Sequence, residues 1–331
     1  MPPPTRRLTL LLATLLTSTA FAAETLTVYS GRNERLVGPL YKAFTEKTGI
    51  EVKVRYGETP QLAATLEEEG AKTPADVFVA QDAGALGALA KAGRLQPLPK
   101  DLLSKVDARF RSTEGMWVGL SGRARVVAYN TAKVKPEALP TSILGFTEPS
   151  WKGRIGWAPT NGSFQAFVTA LRLLKGDAAA KQWLEGIKAN APRTYKNNAA
   201  IIEALGRGEI DVGFVNHYYL YAAKKDKGEA LPVANHFVAA GDPGALVNVA
   251  GAGVLKGTKK AAAAQKLISF LLDAQAQKHF ATETFEYPLV PGVEAAATLP
   301  PLSKVGSPDL DLSKLEDLRG TLKLLQETGV L

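Results

Sequence analysis

Cysteine is absent from the 331 residues, which excludes disulfides, a thiolate metal site, a thiol nucleophile and a lipid anchor on a cysteine after an export signal. Any metal must be held by oxygen or nitrogen, and imidazole nitrogen is scarce. The three histidines, His217, His236 and His279, stand too far apart for a metal-binding motif, and no HExxH occurs. His217 neighbours a tyrosine pair but is expected to point elsewhere. Catalytic fingerprints are missing too: there is no convincing nucleophile with a base, no paired catalytic carboxylates and no cofactor motif. "GAGVLKG" at Gly251 to Gly257 lacks both the Walker spacing and the GxGxxG pattern, and reads as a tight strand-to-loop turn.

Dense basic runs are lacking as well. The formal charge is +8, and removing the first 22 residues, with Arg6 and Arg7 and no acid, lowers it by two to +6. Lys and Arg are scattered among Asp and Glu, which argues against nucleic acid and for an anionic ligand. Nor is there an apolar run that spans a bilayer. Arg6 and Arg7 precede a stretch from Leu8 that is broken by Thr14, Thr17, Ser18 and Thr19, short of the ~20 residues a span needs. With the small-x-small run Ala20-Phe21-Ala22 it reads as a signal peptide, residues 1–22, cleaved after Ala22. The expectation is an exported, periplasmic, soluble chain that is not a lipoprotein.

What is present is an alternation. "LTVYS", "IEVKVRY" and "ADVFVAQ" have strand patterns, the second with Ile50, Val52, Val54 and Tyr56 on one face. Between and after them come helices: one with the stripe Leu36, Leu40 and Phe44 stopped by Gly49, one with Thr59 as N-cap and Pro60 at its first position, and "AGALGALAKAG" capped by Asp82. This βαβαβα order predicts a parallel sheet covered on both faces. "WVGLSGRARVVAYN" reads as two short strands bent at Gly122 where the chain crosses between lobes. A second α/β region follows, then a return strand in "DPGALVNVAGAGVL" and one long helix over "KKAAAAQKLISFLLDAQAQKHFAT". At this length two lobes are expected. The first takes residues 23–122 and 248–298, the second 123–247 and 299–331.

Ligands of open parallel sheets collect beyond the carboxyl ends of the strands. One such end carries "NHYYLY", Asn216 to Tyr221. Within a single strand Tyr218 and Tyr219 would face opposite sides, and within a helix they would diverge by ~100°, so only a strand-to-helix junction lets both phenols converge. A phenol binds a metal only after losing its proton, which calls for a strongly charged hard cation; Fe(III) fits, whereas Zn(II) and Cu(I) favour ligands this chain largely lacks. Amphipathic packing is the competing explanation of the pair. Tyr221 is assigned to packing.

"VYSGRN", "TPADVFVAQDAGAL", "LSGRARVVAYN", "PTNGSF", "GEIDVGFVNHYY" and "DPGALVNVAGAGVL" together resemble the periplasmic ferric-ion-binding proteins of ABC importers, over nearly all of the mature chain. The resemblance implies a type II periplasmic binding protein fold, two α/β lobes joined by a hinge with a ligand cleft between them. It further implies closure over Fe(III) held by tyrosinates and a synergistic anion, and delivery to a membrane permease driven by a separate ATPase, with no nucleic-acid partner and a monomeric state. Tyr218 and Tyr219 match the iron-binding tyrosines. Arg123, Asn161, Gly162, Ser163, Asn198 and Asn216 match the anion-binding positions.

The chain also departs from the family pattern. Asn33 stands where many members have a ligand histidine, Gln81 where some have a glutamate, and Phe164 where others have a third tyrosine. Tyr56, at the end of the second strand with Gly57 behind it, is the candidate for a third protein donor; capping the apolar face begun by Ile50 is its alternative role. Glu34 and Gln81 stand in reserve and, with Asn33, are assigned to the surroundings of the metal. Three phenolates would neutralise Fe(III), and a bidentate carbonate, favoured over phosphate, would add negative charge offset by Arg123 and the helix N-terminus near Ser163. Two other functions compete with iron capture: a metal-free anion receptor of the same fold, and a periplasmic enzyme.

Overall fold

A computed structural model describes residues 24–331; the expected signal peptide, residues 1–22, lies outside the described residues. The expected βαβαβα opening is present. Strand β1 (Thr25–Ser30) leads to helix α1 (Glu34–Thr48), β2 (Glu51–Tyr56), α2 (Thr59–Glu69), β3 (Val77–Ala80) and α3 (Ala83–Lys91). Helix α1 forms where its sequence says it should. Asn33 caps it by accepting from the Arg35 N–H, and Gly49, at φ 73°, ends it in the left-handed conformation that glycine adopts at least cost. Its inward stripe of Val37, Leu40, Tyr41 and Phe44 is buried; burial of a side chain such as Leu40 contributes ~2 kcal/mol. Asp82 caps α3 by accepting from the Ala85 N–H.

The cap of α2 differs from expectation. Glu58 occupies the capping position, and Thr59 has turned its hydroxyl to accept from the Gln81 backbone N–H at 3.0 Å. A tertiary bond to the neighbouring strand end has displaced the local one.

After β4 (Leu95–Gln96) and α4 (Lys100–Leu103) comes β5 (Val118–Asn130), one strand and not two. Gly122 does not bend it. A Cβ there would stand 3.1 Å from the Tyr287 Cβ, so the missing side chain admits a neighbouring strand. The second α/β region holds β6 (Ile155–Trp157), α5 (Gly162–Lys175), α6 (Asp177–Ala189), β7 (Arg193–Thr194), α7 (Asn198–Gly206), β8 (Val212–Asn216), α8 (Tyr218–Lys227) and β9 (Val233–His236). The chain returns along β10 (Val247–Leu255) into α9 (Ala261–Leu271), α10 (Ala274–Thr282) and β11 (Tyr287–Pro288), and finishes in α11 (Leu318–Glu327). The single long helix expected here is two, because the Asp273 side chain accepts from the Ala276 N–H and starts a new helix.

The sheet runs β2-β1-β3-β10-β5-β8-β6-β7. Strand β5 belongs to both halves. Val118 to Ala124 pair with β10, and Arg125 to Tyr129 pair with β8, Arg125 opposite Asn216. The hand-over from one lobe to the other thus falls between adjacent residues. The first lobe has its own core around Phe44, Phe78 and Trp117, and the second a core around Phe164, Trp183 and Phe214. The tail visits both lobes: the turn Leu312–Glu316 lies on α3, where a Cβ at Gly84 would meet the Leu315 carbonyl oxygen at 2.7 Å, and α11 packs on α5. Among the described residues no helix is long and apolar enough to cross a membrane.

Candidate functional site

Between the lobes lies a cleft of about 830 Å³. From the first lobe it is lined by Arg32, Asn33, Glu34, Tyr56 and Gln81, and from the second by Asn161, Asn197, Tyr218 and Tyr219. Strand ends and helix starts supply these residues, as the geometry of a parallel sheet dictates.

Tyr218 is the first residue of α8 and is 1% exposed. The strand-to-helix junction at His217 stacks its ring on that of Tyr219, with centroids 4.4 Å apart and planes at 27°. The Tyr218 hydroxyl is buried without a hydrogen-bond partner, an arrangement that costs stability unless a ligand satisfies it. The Tyr219 hydroxyl accepts a long bond from Gln81 Nε2 at 3.5 Å. Burial alone would raise the Tyr218 pKa, but Arg32 and then Arg123 reverse the effect and hold it below the ordinary phenol value. Tyr219 is pushed well above that value, by burial and then by the charge of Tyr218. Two stacked phenols beside the same cations thus share one readily formed negative charge.

His217 does not face the cleft. Its Nδ1 accepts from the Ala124 N–H at 3.1 Å, and its Nε2–H donates to the Phe285 carbonyl at 2.8 Å. The ring therefore ties α8 to β5 and to the segment before β11, and burial first of all pulls its pKa down to about 4. Tyr221 turns away as well, donating to the Thr298 carbonyl and stacking on Phe285.

The candidate anion residues are brought together. Arg123, on β5, is 1% exposed and donates from Nη1 to Ser163 Oγ at 3.0 Å, while its Nε and Nη2 have no partner. Ser163 Oγ also accepts from Asn216 Nδ2 at 3.1 Å. The Asn216 backbone N–H donates to Asn198 Oδ1, and Asn198 Nδ2 donates to Asn161 Oδ1, which caps α5 by accepting from the Ser163 N–H. Gly162 opens α5; a Cβ there would meet Asp82 Oδ2 at 3.1 Å and Pro60 Cδ at 3.6 Å, so glycine lets the two lobes approach.

The remaining candidates are spread more widely. Tyr56 lines the same cleft, half-buried, its pKa raised by burial and then by Glu34. Asn33 serves as the α1 cap at the cleft edge. Phe164 sits in the second core against Trp157, with centroids 5.7 Å apart, and offers no donor. Among the described residues no cluster of three His, Asp or Glu side chains could hold a metal.

Sequence reasoning missed three charged groups. Arg32 is 2% exposed, ion-paired with the buried Glu286, and lies 5.8 Å from the centroid of the Tyr218 ring. Glu286 also accepts from Ser121 Oγ at 2.7 Å. Arg125 donates to Asn216 Oδ1 at 3.1 Å, and burial followed by the like charge of Arg123 lowers its pKa to about 9. A signal for Arg125 was available, since it follows Arg123 by two residues on one strand and so shares its face. Nothing local marks the pairing of Arg32 with Glu286, 254 residues away.

Paired α/β lobes joined by an unbroken strand, with a polar cleft between them, define a ligand-capturing protein of the type II periplasmic binding fold. The chain belongs to the bacterial extracellular solute-binding proteins, whose family profile matches residues 40–304. It is 37% identical over 323 residues to the major ferric iron-binding protein of Neisseria meningitidis serogroup B, covering 97% of each. To the Fe(3+)-binding periplasmic protein of Serratia marcescens it is 33% identical, over 94% of this chain and 92% of that one. Among solved structures, iron-bound HitA from Pseudomonas aeruginosa matches with a TM-score of 0.89 at 39% identity, over 92% of this chain and 99% of that chain. The Trichodesmium protein in complex with iron and citrate ligands matches with a TM-score of 0.79 at 33% identity, over 92% and 99%. The resemblance drawn from the sequence motifs and the fold class it implied are borne out.

Proposed function

We propose that this chain is a periplasmic Fe(III)-binding protein of an iron uptake system. It takes Fe(III) as cargo on the phenolates of Tyr218 and Tyr219, with Tyr56 as third protein donor, and completes the shell with carbonate in preference to phosphate. Arg123, Asn161, Gly162, Ser163, Asn198 and Asn216 hold that anion, while Asn33, Glu34 and Gln81 stand around the metal. The monomeric carrier, exported by its signal peptide, hands the ion to an ABC permease with a separate ATPase and performs no catalysis itself.

One observation carries the reading: a buried, unpartnered Tyr218 hydroxyl stacked on a second phenol in the interlobe cleft, with cations that favour its ionised form. The similarity to ferric-ion-binding proteins supports the choice of metal. Hard phenolate oxygens suit a trivalent cation, and the neutral residues at Asn33 and Gln81 leave positions for an exogenous anion. Release is proton-assisted, because protonated phenol or carbonate no longer binds. Titration with ferric iron and bicarbonate should produce a visible tyrosinate-to-iron absorption band; a solution that stays colourless contradicts the assignment. Bicarbonate should support the band at lower concentration than phosphate does.

The unpartnered Nε and Nη2 of Arg123 favour a second reading, anion capture without metal. Calorimetry of metal-free protein with carbonate, phosphate and thiosulfate separates the two, since tight anion binding without any iron-dependent colour supports only the second.

A further inference from the structure

The hydrogen bonds around Ser163 have fixed directions, and the direction is set by a residue at the back of the network. A guanidinium can only donate. Arg125 therefore requires Oδ1 of Asn216 to face it, which turns the Asn216 Nδ2 toward Ser163. Ser163 Oγ receives a second bond from Arg123, so both of its lone pairs are occupied and its own proton must be donated elsewhere. The same logic runs through the asparagines. A backbone N–H can only donate, so Asn198 Oδ1 faces the Asn216 N–H, and Asn161 Oδ1 faces both the Ser163 N–H and Asn198 Nδ2. Asn161 Nδ2 is left toward the cleft that the residue lines.

The groups this network leaves for a ligand are all donors: the Ser163 hydroxyl, Asn161 Nδ2, the N–H of Gly162 that opens α5, and Arg123 Nε and Nη2, which are buried without partners. Every side chain in the chain of bonds is at least nine-tenths buried, so water does not scramble the directions. Asp82 accepts from the Ala85 N–H through Oδ1, while its Oδ2 would stand 3.1 Å from a Cβ at Gly162, so Asp82→Asn serves as the control for an acceptor on the first lobe.

We infer that this pocket selects oxyanions that present acceptor oxygens only, and that Arg125, which touches no ligand, is the positioning residue that imposes this selectivity through Asn216 and Ser163. A proton carried on a bound oxyanion would face a donor and lose its hydrogen bond. Bicarbonate accordingly binds as carbonate, its proton going to solvent. The inference rests on placing an anion in this cleft but not on iron.

Its test uses metal-free, full-length mature protein and two tetrahedral probes, sulfate and phosphate, near neutral pH where phosphate keeps a proton that sulfate lacks. Calorimetric titration of wild type should favour sulfate by about tenfold or more. Arg125→Met frees Asn216 to turn its amide, so that Ser163 can offer its oxygen, and the preference should fall to within about twofold of unity. Arg125→Lys keeps a donor-only cation and should retain the preference. A structural role alone would weaken both anions equally and leave their ratio unchanged.

The inference is overturned by a ratio that survives Arg125→Met, by a wild-type preference for phosphate, by a ratio that changes with Asp82→Asn instead, or by failure of sulfate to bind. Should Arg125→Met not fold, the wild-type ratio decides: it must shrink as rising pH strips protons from phosphate, and a pH-independent ratio overturns the inference. A ferric titration without colour, alongside a ratio that follows Arg125, would remove the iron reading and leave this one standing.

Discussion

Tyr218→Phe removes a buried oxygen that has no protein partner, so the substitution should leave unfolding by urea unchanged or slightly harder. Iron affinity should nevertheless fall by more than about a hundredfold, since loss of a ligand exceeds the loss of a supporting group. Loss of binding without loss of stability marks a ligand; both falling together marks a packing residue. Tyr219→Phe should behave similarly toward iron, whereas Tyr221→Phe, remote from the cleft, should bind as wild type does. His217 acts at the same scale through its protons. Its pKa is depressed from 6.5 to about 4 in the folded chain, so between these values the unfolded chain binds more protons. The stability contributed by the neutral ring is complete above about pH 6.5 and is lost as pH falls toward about 4, by roughly 3 kcal/mol. Urea unfolding across that interval should show this slope in wild type and a shallower one in His217→Gln.

At the scale of elements, periodicity and glycine stops made the opening βαβαβα legible, because α1 and α3 carry a capping side chain, Asn33 or Asp82, at the start and each of the three helices is followed by a glycine of positive φ within its own sequence. The misreadings share a cause. Thr59 has an ideal local role and gives it up for the Gln81 N–H, and Gly122 looks like a bend but is a gap for β11; in each, a partner distant in sequence decides. The break at Asp273 was different, for its signal was local but lay inside a strongly apolar, helix-favouring run. Asp273→Ala should destabilise the chain by about 1 kcal/mol through the lost cap of α10, measured by thermal unfolding, with iron binding intact. The candidate site was legible where side chains follow a motif, as at Tyr218, which lines the cleft, and Arg123, which bonds Ser163. It was opaque where burial and charge arise from folding, as with Arg32, Glu286 and the orphaned Tyr218 hydroxyl.

For the molecule as a whole, the lobes are also joined at the mouth of the cleft. Arg35 of α1 bonds both carboxylate oxygens of Asp226 in α8 at 2.8 Å, and Lys225 meets Glu283 at 2.6 Å. Both members of the first pair are exposed, so its effect is small and salt-sensitive. Arg35→Glu should speed iron release to a competing chelator by about two- to fivefold at low salt. Arg35→Glu with Asp226→Arg should restore the slow rate, and high salt should erase the difference.

The unbroken passage of β5 from β10 to β8 gives the molecule a leaf spring in place of a loose joint. Flexure there must be shared along a hydrogen-bonded ribbon, and the two guanidiniums ride on it at consecutive same-side positions across the point where the ribbon changes partners. Inserting a single residue between Ala124 and Arg125 would turn every following side chain of the strand over, aiming Arg125 at the wrong side while Arg123 stayed where it is. Evolution can therefore lengthen the loops around this cleft freely, but not the spring.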